Sequence, residues 1–234
     1  MEKGKLYLIP VTLGDSPIDQ VIPAFNNQII NKIDVYIVEN IKTARRFLKK
    51  AGLIKAIDDL TFYELNKRTH ESEYPTFLKE IDNGKNIGIL SEAGCPGVAD
   101  PGAEIVNIAH QKNIKVIPLI GPSSILLALM ASGFNGQSFC FNGYLPKEQK
   151  DRIRKLKDLE RIVKNKNQTQ LFIETPYRNN HVFEDMLKNC FESTKLCIAV
   201  DITLPTEQIS TKTIAEWKKT KIDLHKRPCL FLMG

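Results

Sequence analysis

Two α/β domains with mostly parallel or mixed sheets, and a cleft between them, are predicted by three observations on the 234-residue sequence. Short apolar runs alternate with segments of helical spacing, the arrangement of a sheet covered by helices. The alternation restarts after Gly121-Pro122, so there are two such units. Apolar residues make up 42% of the chain, enough for a sizeable core and too many for a disordered one.

The elements follow in order. Lys5 to Pro10, Ile33 to Glu39, Asn86 to Leu90 and Lys115 to Leu119 are apolar runs closed by Pro, Gly or a polar residue and read as buried strands. Ile41 to Lys50 and Pro101 to Gln111 have helical spacing, the second with Asp100 as candidate cap and Pro101 in the first turn. The second half reads as helix 123–131, strand 138–144, basic helix 148–164, strand 170–174 and helix 179–189. Strands 196–201, 207–211 and 229–233 close it. The domains are set at 1–119 and 120–234, with no internal repeat.

Several classes are excluded at this level. The apolar stretch from Ile117 to Met130 is interrupted by Pro118, Gly121, Pro122, Ser123 and Ser124, so no membrane span is expected. The first residues run into a strand without the apolar block of a secretory leader, and a cytoplasmic protein is expected. Five cysteines, odd in number and without a CxxC pair, suggest reduced thiols rather than a disulfide framework or zinc site. No Cys, His or carboxylate cluster has ligand spacing, so no metal is expected.

The positive charge is local. Lys147 to Lys166 carries nine bases against four acids, giving +5 of the chain's formal +6. A second cluster, Lys42, Arg45, Arg46, Lys49, Lys50 and Lys55, contains no acid. Both would attract a polyanion such as RNA. The plainer reading, two solvated faces of amphipathic helices, is the commoner one for charge runs.

Four loops carry the candidate chemistry. Ser91-Glu92-Ala93-Gly94-Cys95-Pro96-Gly97-Val98-Ala99-Asp100-Pro101-Gly102 follows a strand, where open α/β sheets bind ligands and small residues let a ligand approach the backbone. Its glycines miss the dinucleotide spacing, and no Gly-Lys-Ser/Thr phosphate loop occurs, so NAD and ATP are disfavoured. Alone it would be a long turn. Ile117 to Ser124, Phe139 to Pro146 and Ile173 to Arg178 add three more strand ends, and the four loops, two from each half, describe the cleft.

At these residues the sequence resembles the tetrapyrrole methylase superfamily of S-adenosylmethionine-dependent methyltransferases, and within it the bacterial small-subunit rRNA (cytidine-2'-O)-ribose methyltransferases. The pattern S-D-A-G-x-P-x-x-x-D-P-G appears as Ser91 to Gly102 with Glu92 for Asp, and P-G-P-S-A as Ile120 to Ser124. F-x-F-x-G-F/Y-L-P matches Phe139 to Pro146, and E-S-P-H-R matches Glu174 to Arg178; these two point to the rRNA branch. The amino-terminal motifs differ. G-T-P-I-G-N-L is reduced to Ile9 to Asp15, E-D-T-R becomes Glu39 to Lys42, and H-x-H-N becomes Asn66 to Thr69. The sequence is also read as ending with the family's second domain, without the carboxyl extension of longer relatives.

The resemblance implies S-adenosylmethionine folded into the cleft and held largely by backbone groups. It assigns Pro10, Ser91, Glu92, Ala93, Gly94, Val98, Asp100, Ser123, Ser124, Leu145 and Pro228 to that cofactor. A ribose hydroxyl is a poor nucleophile, so a general base is sought. Glu39, at a strand end, is the first candidate and a structural partner for an Arg or a helix start is its alternative. Glu174 is the second, with anchorage of Arg178 as its alternative. RNA is the expected partner, with Arg152, Arg154 and Lys155 facing it, and a homodimer is expected. Three classes stay open: an RNA ribose methyltransferase, a tetrapyrrole C-methyltransferase, and a paralogue that binds cofactor or RNA without that reaction.

Overall fold

The computed structural model describes residues 3–234. These form two compact units that divide between Ser123 and Ser124, against the 119/120 boundary expected from the sequence.

The first unit runs β1 (Leu6–Ile9), α1 (Ile18–Val21), α2 (Ala24–Ile30), β2 (Val35–Val38), α3 (Ile41–Lys50), β3 (Thr61–Glu64), α4 (Lys79–Asp82), β4 (Ile87–Leu90), α5 (Ala103–Gln111) and β5 (Val116–Pro118). Its sheet has the order β3-β2-β4-β1-β5 and every pair is parallel. Side chains alternate along each strand, so both faces must be covered. Tyr7, Ile9, Tyr36 and Val38 join one core cluster, with Ile30 and Leu48 from α2 and α3. Leu6, Val35, Ile37, Ile87 and Ile89 join the other, with Ile105 and Ala109 from α5. Gly88 is required by this packing, since a Cβ there would lie 2.8 Å from Ile9 Cδ1 and 3.0 Å from the Tyr36 ring.

The second unit runs α6 (Ser124–Ser132), β6 (Phe139–Tyr144), α7 (Gln149–Lys166), β7 (Thr169–Ile173), α8 (Asn179–Asn189), β8 (Lys195–Val200), β9 (Gln208–Thr213), α9 (Ile214–Trp217) and β10 (Cys229–Met233). The sheet order is β6-β7-β10-β8-β9. Only β6 and β7 pair in parallel; β10 lies antiparallel between β7 and β8, making this sheet mixed. Leu156, Leu159, Val182, Met186 and Trp217 pack against Phe172 and Phe231 in one core.

Two expectations are corrected here. The edge strand β3 lies in a stretch not read as a strand, because its four residues are exposed or half-buried and show no apolar run. The helix expected from Pro101 starts at Ala103, capped by Gly102 at φ +126°, so Asp100 is not its cap. Among the described residues no helix is long and apolar enough to cross a membrane.

Candidate active site

The loops after β1, β4 and β5 leave the same end of the parallel sheet, where such sheets bind ligands. They are locked together through Gly94. Its carbonyl accepts the Val11 N–H at 2.9 Å and the buried Ser91 hydroxyl at 2.8 Å. Gly94 has φ +76°, and a Cβ on it would lie 3.1 Å from Leu13 Cδ2 and 3.3 Å from the Pro122 carbonyl. Gly121 packs still closer, for a Cβ there would sit 2.2 Å from Pro10 Cβ. The sequence-predicted residues Pro10, Ser91 and Gly94 are therefore brought together with Gly121 and Pro122, which lead to Ser123 at the end of this unit. Glu92, Ala93 and Val98 project from the same loop and are exposed.

Carboxylates gather beside this knot. Glu39 follows β2, the neighbour of β4, and its Oε1 is buried without a hydrogen-bond partner; Asp100 Oδ2 is in the same condition. Burial first, then the nearby Glu39 carboxylate and the charge of Glu92, push the Asp100 carboxyl up to about 8. At neutral pH Asp100 accordingly holds a proton next to Glu39. Glu92 in turn accepts the Thr43 hydroxyl at 2.6 Å.

A depression of about 420 Å³ opens next to Ser91 and Glu92, lined also by Leu13, Thr43, Arg46 and Lys50. Lys50 reaches Asp15 at 2.6 Å, and this ammonium holds the Asp15 carboxyl below the usual carboxylate range. Thr43, Arg46 and Lys50 were not among the site residues read from the sequence. Their spacing on one basic helix was visible, but nothing in the sequence tied that helix to the Ser91 loop.

In the second unit Leu145 follows β6, Glu174 follows β7 and Pro228 precedes the antiparallel β10, so all three stand at one end of the sheet. Ser124 opens α6. Leu145 is buried, whereas Pro228 is exposed and its carbonyl accepts the Asp201 N–H at 2.9 Å. Glu174 is buried and lies 2.8 Å from Arg178 Nε. Burial raises the Glu174 carboxyl in spite of the opposing Arg178, Arg152 and Lys147 charges. Arg178 also donates to the Pro146 carbonyl at 3.4 Å, so the Glu174–Arg178 pair anchors the loop after β6.

Arg152 is corrected outright as an RNA-facing residue. Its side chain is buried, donates through Nε to Asp185 Oδ2 at 2.8 Å, and reaches the Pro146 and Lys147 carbonyls at 3.2 and 2.7 Å. It occupies the inward face of α7 with Leu156 and Leu159. Arg154 is exposed, 3.8 Å from Asp151, and Lys155 is half-buried.

The fold is that of solved tetrapyrrole methylases. The solved methyltransferase CobJ superposes over 99% of this chain and 94% of its own, with TM-score 0.65 at 16% identity. A uroporphyrin-III C-methyltransferase from Thermus thermophilus superposes over 99% and 92%, with TM-score 0.57 at 17% identity. In sequence the chain is related to ribosomal RNA small subunit methyltransferase I. It is 28% identical to the protein of that name from Buchnera aphidicola subsp. Acyrthosiphon pisum, across 92% of this chain and 73% of that one. The Escherichia coli O157:H7 protein of that name is 27% identical, across 92% and 71%. No family model matches the chain.

Proposed function

We propose that this chain transfers a methyl group from S-adenosylmethionine to a ribose 2'-hydroxyl of small-subunit rRNA. The observation that carries the reading is the extent of its likeness to proteins named ribosomal RNA small subunit methyltransferase I, over more than nine-tenths of its own length. The solved neighbours share the fold at 16–17% identity and carry no argument for a tetrapyrrole substrate.

The residues at the candidate site fit the cofactor. The knot around Gly94 leaves no room for side chains, and Glu39 Oε1 and Asp100 Oδ2 are buried without a hydrogen-bond partner. In the first unit Pro10, Ser91, Glu92, Ala93, Gly94, Val98, Asp100 and Ser123 would hold it. When bound, S-adenosylmethionine supplies an electrophilic methyl on a cationic sulfonium, and carboxylates nearby suit that charge. The protein's own work is then to align the ribose oxygen with that carbon and sulfur and to exclude water. Glu39 is the assigned acceptor of the hydroxyl proton, and Asp100, which keeps its own proton at neutral pH, is its neighbour. Glu174 is assigned a positioning role through Arg178. The reading includes a cytoplasmic homodimer working without a metal.

Calorimetric titration with S-adenosylmethionine tests it. One site per chain is expected, and Gly94→Arg, whose side chain the knot has no room for, should abolish binding. Absence of binding to the wild-type chain would end the proposal.

A further inference from the structure

The exposed face of α7 carries Lys150, Arg154, Lys157, Arg161 and Lys164, spaced four, three, four and three residues apart. That spacing puts all five on one stripe of the helix, spanning about 21 Å at 1.5 Å per residue. The opposite stripe, Arg152, Leu156, Leu159 and Val163, faces the core. Among the described residues, Arg154 and Arg161 pair with Asp151 and Asp158 in exposed contacts of 3.8 and 3.4 Å that cost little to exchange for a phosphate.

The stripe ends in a groove. Lys157, Arg161 and Lys164 line a cavity of about 860 Å³ together with Lys195 at the start of β8. Its lining includes Phe191, which is 69% exposed. An exposed aromatic is retained here by a specific device. The buried Glu160 carboxylate accepts the Phe191 N–H at 2.8 Å and also the Thr194 hydroxyl, fixing the turn that presents the ring. Glu160 is the one acidic side chain in the lining, set against four cationic ones. The groove lies at the end of the sheet where β7 and β8 begin and β10 finishes, opposite the end that bears Leu145, Glu174 and Pro228.

We infer that this stripe and groove are a docking site for single-stranded RNA, with phosphates along α7 and a base stacked on Phe191. The inference rests on an RNA substrate and names the surface that grips it away from the methyl-transfer loops. Charge complementarity selects the occupant. A row of cations beside a presented ring matches a single strand, whose phosphates and unpaired bases alternate. A second copy of this chain would bring like charge to like charge.

The test is fluorescence anisotropy of a labelled oligouridylate of about twelve nucleotides, within the site sizes of single-strand binders. Lys157→Gln/Arg161→Gln/Lys164→Gln should lower the log–log salt slope by roughly 2, at about 0.7 per phosphate on a single strand. Phe191→Ala should weaken binding roughly tenfold with the slope unchanged, and Phe191→Trp should restore it. All these side chains are exposed, so melting temperatures should stay within a few degrees. Wild-type slope and affinity in the triple variant would overturn the inference, as would a duplex bound equally well with no effect at Phe191. A shift in sedimentation coefficient in the triple variant would mark the face as a contact between copies and overturn it too. Oligouridylate binding is independent of methyl transfer. Failure here with rRNA methylation intact would sink the docking site alone, while binding without methylation would leave it standing and sink the proposed reaction.

Discussion

Replacing Arg152 with Gln should destabilise the second unit rather than release RNA. The guanidinium and the Asp185 carboxylate are both nearly buried, with side-chain exposures of 8% and 4%, and meet at 2.7 Å. Gln149 Nε2 completes the carboxylate at 2.8 Å, and the remaining Arg152 nitrogen, Nη1, donates to both the Pro146 and Lys147 carbonyls. Removing the cation strands a buried anion and two carbonyls, which costs about 3–5 kcal/mol. Against a domain stability of roughly 5–15 kcal/mol this is a large fraction. With a urea dependence of about 2 kcal/mol per molar, the midpoint should fall by roughly 2 M. Urea unfolding followed by Trp217 fluorescence reads the second unit, since Trp217 is the only tryptophan and is buried there. The double variant Arg152→Gln/Asp185→Asn should be less destabilised than the sum of the single changes, because it leaves no unpaired charge. A loss below about 1 kcal/mol, together with a drop in the RNA salt slope, would refute the burial argument and return Arg152 to the RNA-facing set.

Other outcomes follow from the first unit. Between about pH 4 and 8 the unfolded chain gives up the Asp100 proton while the folded chain keeps it, so stability should fall as pH rises through that window and level off above it. Asp100→Asn should remove this slope, gaining about 1–2 kcal/mol relative to wild type on going from pH 5 to pH 8 once solvent screening is allowed for; parallel pH profiles would contradict it. Gly121→Ala places a methyl 2.2 Å from Pro10 Cβ and should cost about 1–3 kcal/mol by thermal melting, with weaker cofactor binding; an unchanged melt would mean the loops part easily. Methyl transfer should continue in excess chelator, and its restoration by an added divalent ion would contradict that.

Elements set by long apolar runs or clear periodicity were readable before the fold was seen. Helix α8 spans Asn179–Asn189 and strand β10 spans Cys229–Met233, as expected from spacing alone. Strand β3 was not, since an edge strand buries little and leaves no apolar signature. The small-residue loops were conspicuous because Gly94 and Gly102 adopt positive φ angles that few other residues tolerate. What joins them is tertiary and left no local mark. Asp100 lies beside Glu39, which follows β2, rather than at the start of the helix it was read as capping. A charge count over α7 likewise could not separate its two stripes, and the residue facing inward, Arg152, was taken with those facing out.

The central claim is tested most directly by incubating the purified chain with methyl-labelled S-adenosylmethionine and small ribosomal subunits from cells lacking the gene, then digesting the rRNA to nucleosides for mass spectrometry. The account predicts label on a single nucleoside, as a 2'-O-methyl on its ribose, and none when Gly94→Arg replaces the wild-type chain. Label on a base carbon or nitrogen, or transfer to a tetrapyrrole and none to rRNA, would contradict it.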